Sequence, residues 1–174
     1  PLLLGIYRTL AVVLKNTPML REQTKKLWTT YDIRYVKGIP AFFGIDRNVF
    51  GDVRPIWIHA ASGEFEYAKP VIRELARRNR APILVTYFSP TFADSVRAFP
   101  GVTAACPLPL DSRDELERFF DHLNPSCLLI ARTDAWPNTV LTANLRKIPI
   151  LLFSTTFHGQ SNRMRGLGRT LTID

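Results

Sequence analysis

From residue 55 onward the chain repeats one pattern, a short apolar run followed by a segment of helical periodicity. The runs are PIWIHA (55–60), APILVTYF (81–88), VTAACPL (102–108), CLLIA (127–131) and PILLFST (149–155). Strands that are apolar at successive positions, not at every second one, are built to be buried on both faces. Separated by helices, they imply a parallel sheet covered on both sides, a Rossmann-like doubly wound α/β domain of about five strands. Helix starts are marked as well. Ser89 before Pro90 fits an N-cap and first helical position, Asp111 with Asp114 and Glu115 reads as an acidic first turn, and Pro137 opens another helix. At 174 residues and 46% hydrophobic content, the chain is long enough for one such core with an extension.

The extension is expected at residues 1–54, an apolar and basic helical segment, with the Rossmann-like domain over 55–174. PLLLGIYRTLAVVLK opens the chain, and its run of about thirteen mostly apolar residues would span roughly 20 Å as a helix, short of a hydrocarbon core of roughly 30 Å. It has no basic lead-in and no small-residue cleavage site, so no secretory signal is expected within it. Lys15, Arg21, Lys25 and Lys26 follow it. Two readings stand at this point: a helix lying on an anionic membrane surface, and a helix packed on the domain core. The formal net charge of +8 gathers at the two ends, with nine basic against four acidic residues over 1–54 and five against one over 146–174. Such ends suit phosphates, of lipid or of nucleic acid, and they also suit plain solvation. No aromatic-plus-basic RNA motif or recognition-helix signature accompanies them, so nucleic acid is not expected as a partner.

Several chemistries are disfavoured. The chain has no G-x-G-x-x-G after its first strand, no G-x-x-x-x-G-K-[ST], no G-x-S-x-G and no H-E-x-x-H. Cys106 and Cys127 sit in apolar strands without metal-site spacing and read as reduced core residues. His59, His122 and His158 are scattered, so no metal site and no bound cofactor is expected. What remains is the carboxyl-terminal rim of the strands, where this fold class keeps its ligands. Residues 62–65, 87–91, 132–138 and 154–161 share that rim. They offer one candidate base, Glu64, among hydroxyls, amides and cations, a set suited to a sugar. Taken on residue type alone, Glu64 is equally an acid favouring the positive end of a helix, worth about 0.3–1 kcal/mol.

The order HAASGE (59–64), Pro70, SPT (89–91), LPLD (108–111), WPN (136–138) and KIPILL (147–152) resembles the amino-terminal half of the 3-deoxy-D-manno-octulosonic acid (Kdo) transferases. These are glycosyltransferases of two Rossmann-type domains that attach Kdo from CMP-Kdo to the lipid A precursor. The resemblance runs in one register from about residue 55 to 153, and the apolar, basic start resembles the family's membrane-associated start. It implies an inverting transferase with Glu64 as general base, and an acceptor-binding rim of Ser62, Gly63, Ser89, Thr91, Arg132, Asp134, Asn138 and His158. It implies a lipid A precursor or related lipid-linked saccharide as acceptor, and an anionic membrane at the cytoplasmic face of the bacterial inner membrane as a peripheral location. The donor, CMP-Kdo, is expected to bind mainly a carboxyl-terminal domain beyond RTLTID. The alternative is a catalytically inactive module binding a lipid-linked saccharide or anionic lipid.

The chain departs from the family pattern at three places. Ser62, Gly63 and Glu64 are contiguous, where the family has one more residue after the serine. Arg132, Thr133, Asp134 and Ala135 stand where the family has an acidic residue, Thr, Glu and Leu. Residues 154–161 lack the family's two arginines.

Overall fold

The computed structural model describes residues 33–79 and 81–155. His158 and the apolar, basic segment of residues 1–26 lie outside the described residues. Five strands, β3 (Ile56–His59), β4 (Ile83–Tyr87), β5 (Ala104–Pro107), β6 (Cys127–Ala131) and β7 (Ile150–Phe153), form one sheet in the order β5-β4-β3-β6-β7. Every pairing is parallel, as the apolar runs predict.

Each face of that sheet has its own core. Trp57, Leu84, Leu128 and Ile130 point to one side and meet Phe119 and Phe120 of α3 (Arg113–Leu123) and Ala143 of α4 (Pro137–Leu145). Ile58, Val85 and Ala131 point to the other side and meet Phe65, Ala68 and Ile72 of α1 (Phe65–Arg78) and Val96 of α2 (Ala93–Arg97). Neighbours along a strand therefore serve opposite layers, the reason these strands carry no polar face. The helices bury one stripe each. Leu116, Phe119, Phe120 and Leu123 of α3 lie at i, i+3, i+4 and i+7. Both α1 and α3 end in left-handed asparagines, Asn79 and Asn124, each with φ 45°. That conformation closes a helix, and asparagine tolerates it better than most residues.

Residues 33–54 pack with the sheet. The compact unit runs from Ile33 to Thr155, and Phe42 and Phe50 belong to the core on the α3 side. Its opening is a hairpin of β1 (Tyr35–Val36) and β2 (Ile39–Pro40), turned by Lys37 and Gly38 with φ 52° and 77°. Two positive φ values in a two-residue loop make a turn whose twist matches the strands. The Tyr35 hydroxyl donates to the buried Glu115 carboxylate on α3, which also accepts the Leu110 N–H at 2.8 Å. Burial pushes the Glu115 carboxyl above its ordinary value, against the pull of those two donors. The cysteines are free. Cys106 is buried and its thiol is pushed up to about 12 by that burial.

One expectation needs correction. Asp111 does not lie in the first turn of α3, which begins at Arg113 with Ser112 in the N-cap position and Asp114 and Glu115 as its first-turn acids. Its carboxylate turns instead to α4. It accepts the N–H groups of Asn138 at 3.1 Å and Thr139 at 2.8 Å, and the Thr139 hydroxyl at 3.1 Å. The reason is the start of α4. Trp136 in its N-cap position makes no side-chain cap and Pro137 carries no N–H, so the next two amides need an acceptor from elsewhere. Asp111→Ala is accordingly expected to lower stability by about 1–2 kcal/mol, with Asp111→Asn losing less, both read from urea midpoints at constant m-value.

Candidate functional site

After β3 the chain crosses one face of the sheet through α1, and after β6 it crosses the opposite face through α4. The carboxyl ends of β3 and β6 therefore border the crevice where the strand order reverses, the usual ligand position in open α/β sheets. Register fixes what meets there. His59 pairs with Ile130, so the turn at residues 60–64 lies beside the loop at residues 131–136.

Glu64 ends that turn, immediately before α1. The Ser62, Gly63 and Glu64 carbonyls accept the first N–H groups of the helix, from Phe65, Glu66 and Tyr67, at 3.0–3.1 Å. The Glu64 side chain turns back onto Ser62. Its Oε2 accepts the Ser62 N–H at 3.1 Å and the Ser62 hydroxyl at 3.0 Å. Hydrogen bonding from its own backbone amide first, and then from Ser62, holds the carboxyl below its ordinary value, while partial burial and the nearby Asp134 charge oppose the shift. The folded chain thus favours the ionised form. The associated stability is present above the ordinary carboxyl range and is lost as pH falls through the lowered value.

Next to it lies a hydrogen-bonded chain that sequence reading did not assemble. The Trp57 indole donates to the Thr86 hydroxyl at 2.8 Å, Thr86 Oγ1 lies 2.9 Å from His59 Nδ1, and His59 Nε2 lies 3.0 Å from Asp134 Oδ2. Trp136 Nε1 donates to the same carboxylate oxygen at 3.2 Å. Direction follows from the ends. An indole only donates, so Thr86 accepts from Trp57; an ionised carboxylate only accepts, so in the neutral imidazole Nδ1 is left to accept the Thr86 proton. The ring proton then sits on Nε2 and is donated to Asp134. With Trp57 and Thr86 fully buried and His59 only 2% exposed, the chain carries the interior of the sheet out to a rim carboxylate.

The remaining expected rim residues divide. Ser62 orients Glu64. Ser89 and Thr91 pair hydroxyl to hydroxyl at 2.8 Å, and the Ser89 N–H donates to Ala61 at 2.9 Å, which ties them to the Glu64 turn. Asn138 spends its side-chain amide on the Asp111 carbonyl at 2.6 Å, a bond within the α4 start. Gly63 is exposed and its missing side chain would meet nothing within 4 Å, so no close approach requires glycine there. Phe88 and Trp136 stack across the strand ends, centroids 5.8 Å apart, with Phe88 46% exposed. Arg132 follows β6 with φ 63°, a left-handed backbone that costs a residue with a side chain about 1–3 kcal/mol. Its N–H donates to Phe153 at 2.8 Å and its carbonyl accepts the Thr155 hydroxyl at 2.6 Å. Two recesses of about 400 Å³ lie elsewhere, both lined by Ile45 and Arg97 and neither by Glu64 or Asp134. Among the described residues no cluster of three His, Cys, Asp or Glu is placed to hold a metal ion.

The proton assignment is open to direct measurement. A histidine-ring ¹H–¹⁵N spectrum is expected to show His59 protonated at Nε2 with Nδ1 as acceptor, and a proton on Nδ1 would reverse the chain. Thr86→Val, which leaves the Trp57 N–H without its buried acceptor, is expected to cost about 1–3 kcal/mol of stability.

Comparison with known proteins places this arrangement. Residues 29–172 match the family model described as 3-deoxy-D-manno-octulosonic-acid transferase (kdotransferase). Among relatives named 3-deoxy-D-manno-octulosonic acid transferase, that of Aquifex aeolicus is 34% identical over 95 residues, covering 53% of this chain and 26% of the relative. That of Bordetella pertussis is 33% identical over 125 residues, 67% of this chain and 29% of the relative. That of Haemophilus influenzae is 32% identical over 114 residues, 64% of this chain and 27% of the relative. The chain thus spans between a quarter and a third of the length of these relatives. With the matched region enclosing the whole sheet and both carboxylates of its rim, the chain belongs to the Kdo transferase family.

Proposed function

We propose that this chain is the acceptor-binding domain of a Kdo-transferase-like glycosyltransferase, in which Glu64 is the general base. The observation that carries the reading is the Glu64 carboxylate. Its own backbone amide, and then Ser62, favour its ionised form at the crevice where the strand order reverses, with a second carboxylate, Asp134, close enough to affect its acidity. The acceptor is a lipid A precursor or a related lipid-linked saccharide, and the donor is CMP-Kdo, held mainly by a carboxyl-terminal domain.

In the step so described, an acceptor hydroxyl oxygen bonds to the anomeric carbon of Kdo as the bond from that carbon to the CMP phosphate breaks. Attack from the face opposite the leaving group inverts the centre. The hydroxyl proton passes to Glu64, and the phosphate leaves with the bonding electrons. A positioned carboxylate contributes typically about 10²–10⁴-fold to such a transfer. A lowered pKa makes it a weaker base but keeps it charged at neutral pH. The Ser62 contacts supply the aim. Asp134, braced by His59 and Trp136, is an acceptor for a second sugar hydroxyl, and the exposed Phe88 ring offers an apolar surface beside it.

Location follows the same reading: the basic, apolar segment of residues 1–26 lies on the anionic cytoplasmic face of the bacterial inner membrane. No helix of the described residues is long and apolar enough to cross a membrane. Deleting residues 1–26 is expected to release the protein from phosphatidylglycerol-containing vesicles without abolishing cooperative unfolding. Loss of the unfolding transition would instead make the segment part of the core.

The catalytic assignment is tested in an enzyme that carries the donor domain. Glu64→Gln is expected to reduce turnover by about 10²-fold or more, equivalent to about 2.7 kcal/mol of barrier, while changing stability by under about 1 kcal/mol. Near-normal transfer with an earlier melt would return Glu64 to the scaffold.

A further inference from the structure

We propose that the recess along the outer edge of β5 is a binding site for a small amphipathic monocarboxylate, its carboxylate held by Arg97 and Tyr87 and its apolar body by the groove. The site is separate from the crevice of Glu64 and goes beyond the acceptor-domain reading without resting on it.

The groove exists because the sheet ends there. β5 is the end strand on its side, and the 3₁₀ turn Ala41–Gly44 lies beside it. The two recesses of about 400 Å³ adjoin along this edge, since Gly44, Ile45, Arg97 and Ala105 line both. Val36 and Ala93 add to the wall of one, and Val49 and Val102 to that of the other. Volume and apolar walls of this kind suit a small organic ligand, provided that a few polar groups converge to orient it.

Two such groups converge. Arg97, the last residue of α2, donates from Nη2 to the Tyr87 hydroxyl at 2.8 Å, with its guanidinium carbon 5.8 Å from the Tyr87 centroid. Tyr87 lines the recess yet is only 1% exposed. A phenol both accepts and donates. Here it accepts from Arg97, and among the described residues no acceptor takes its own proton. Burial holds the phenol above its ordinary value, so that proton stays on at neutral pH. A buried donor left unspent is the exception in folded proteins, and an acceptor supplied by a ligand would satisfy it.

The charges around the pair leave its cation available. Asp94 is the ion-pair partner of Arg97 at 3.8 Å, on a fully exposed side chain, an arrangement that contributes little. Cys106 also lines the recess, and its thiol, pushed up to about 12 by burial, stays neutral. Other arginines rest on rings, Arg73 on Phe99 and Arg118 on Phe43, but neither lines the recess.

The donor set selects the ligand class. One guanidinium and one phenol match the two oxygens and single charge of a carboxylate. A phosphate would bring a third oxygen and up to a second charge into an apolar recess that holds no further cation for it. The body of the ligand, alkyl or aryl, lies past Ala105 toward Val102 in the second recess.

The test is NMR titration of the 174-residue chain with octanoate, 3-phenylpropanoate, 1-octanol, octyl phosphate and acetate. Octanoate or phenylpropanoate is expected to bind about tenfold more tightly than octanol, octyl phosphate and acetate, and the preferred acid tells an alkyl body from an aryl one. Shifts are expected at Ile45, Ala93 and Ala105 and not at Ser62 to Glu64. Arg97→Gln is expected to erase the preference for acid over alcohol, Arg97→Lys to keep part of it, and Tyr87→Phe to weaken it severalfold. Gly44→Leu guards against a folding artefact. A side chain there meets nothing within 4 Å, so the melting temperature is expected to hold while the added bulk at the groove weakens octanoate. Equal binding of the acids and octanol by the wild type, acid affinity unchanged in Arg97→Gln, or shifts confined to the Glu64 turn overturns the site. None of these outcomes bears on whether Glu64 is the base.

Discussion

Parallel pairing of β3 with β6 is the constraint on which the candidate site depends. β3 is the central strand and β6 its neighbour, and their connections leave to opposite faces, so the crevice opens between their ends. Register decides its contents. A shift of one residue would move Trp57 and Ile58 to the wrong layers and part His59 from Asp134. The packing that makes the sheet stable and the polar chain that reaches its rim therefore impose the same alignment. Trp57 shows this most directly: its ring packs 4.6 Å from Phe119 while its N–H anchors Thr86.

The layered architecture was legible because burial on both faces leaves a mark at successive positions of the inner strands, and the edge strand β7 carries the same apolar run although Leu151 and Leu152 are exposed. Local signals at Pro90, Pro137 and the acidic start of α3 likewise survive, since capping is settled by a few neighbours. Two things were not legible, for a common reason. Asp111 satisfies a helix 27 residues ahead of it, and His59 meets an aspartate 75 residues away. Nothing local distinguishes an aspartate capping its own helix from one capping a neighbour. A histidine inside an apolar strand likewise reads as core until the fold supplies its partners. The hairpin at β1 and β2 was missed because two-residue strands carry no periodicity. Only the Lys37-Gly38 pair, able to take positive φ, hinted at it.

Of the rim, residue identity and strand order gave Glu64, Ser62, Arg132 and Asp134, and the fold brings their segments together between β3 and β6. What identity alone did not give was division of labour. Asn138 is committed to the start of α4, while Ser62 is committed to Glu64. The electrostatic character is likewise a product of assembly. Two carboxylates share the crevice, one drawn down by amide and hydroxyl donors and the other gripped by an imidazole and an indole. The Arg132 guanidinium rests over the Tyr67 ring, 5.2 Å from its centroid.

The loop after β6 is fastened at both ends. Arg132 is tied through its N–H to Phe153 at the end of β7 and through its carbonyl to Thr155 just beyond, and the segment beginning at Pro137 is tied to Asp111 through two amides and a hydroxyl. The residues between, Thr133 to Trp136, include an aspartate itself held by His59 and Trp136. A loop so restrained has little conformational entropy left to surrender when a ligand arrives, so most of each polar contact it makes is retained as affinity. Crowding three independent tethers around a short loop makes recognition there a matter of fit and not of folding onto the ligand. On the proposed acceptor-binding reading, the same rigidity narrows what the rim accepts, because an ill-matched ligand finds no yielding segment to accommodate it.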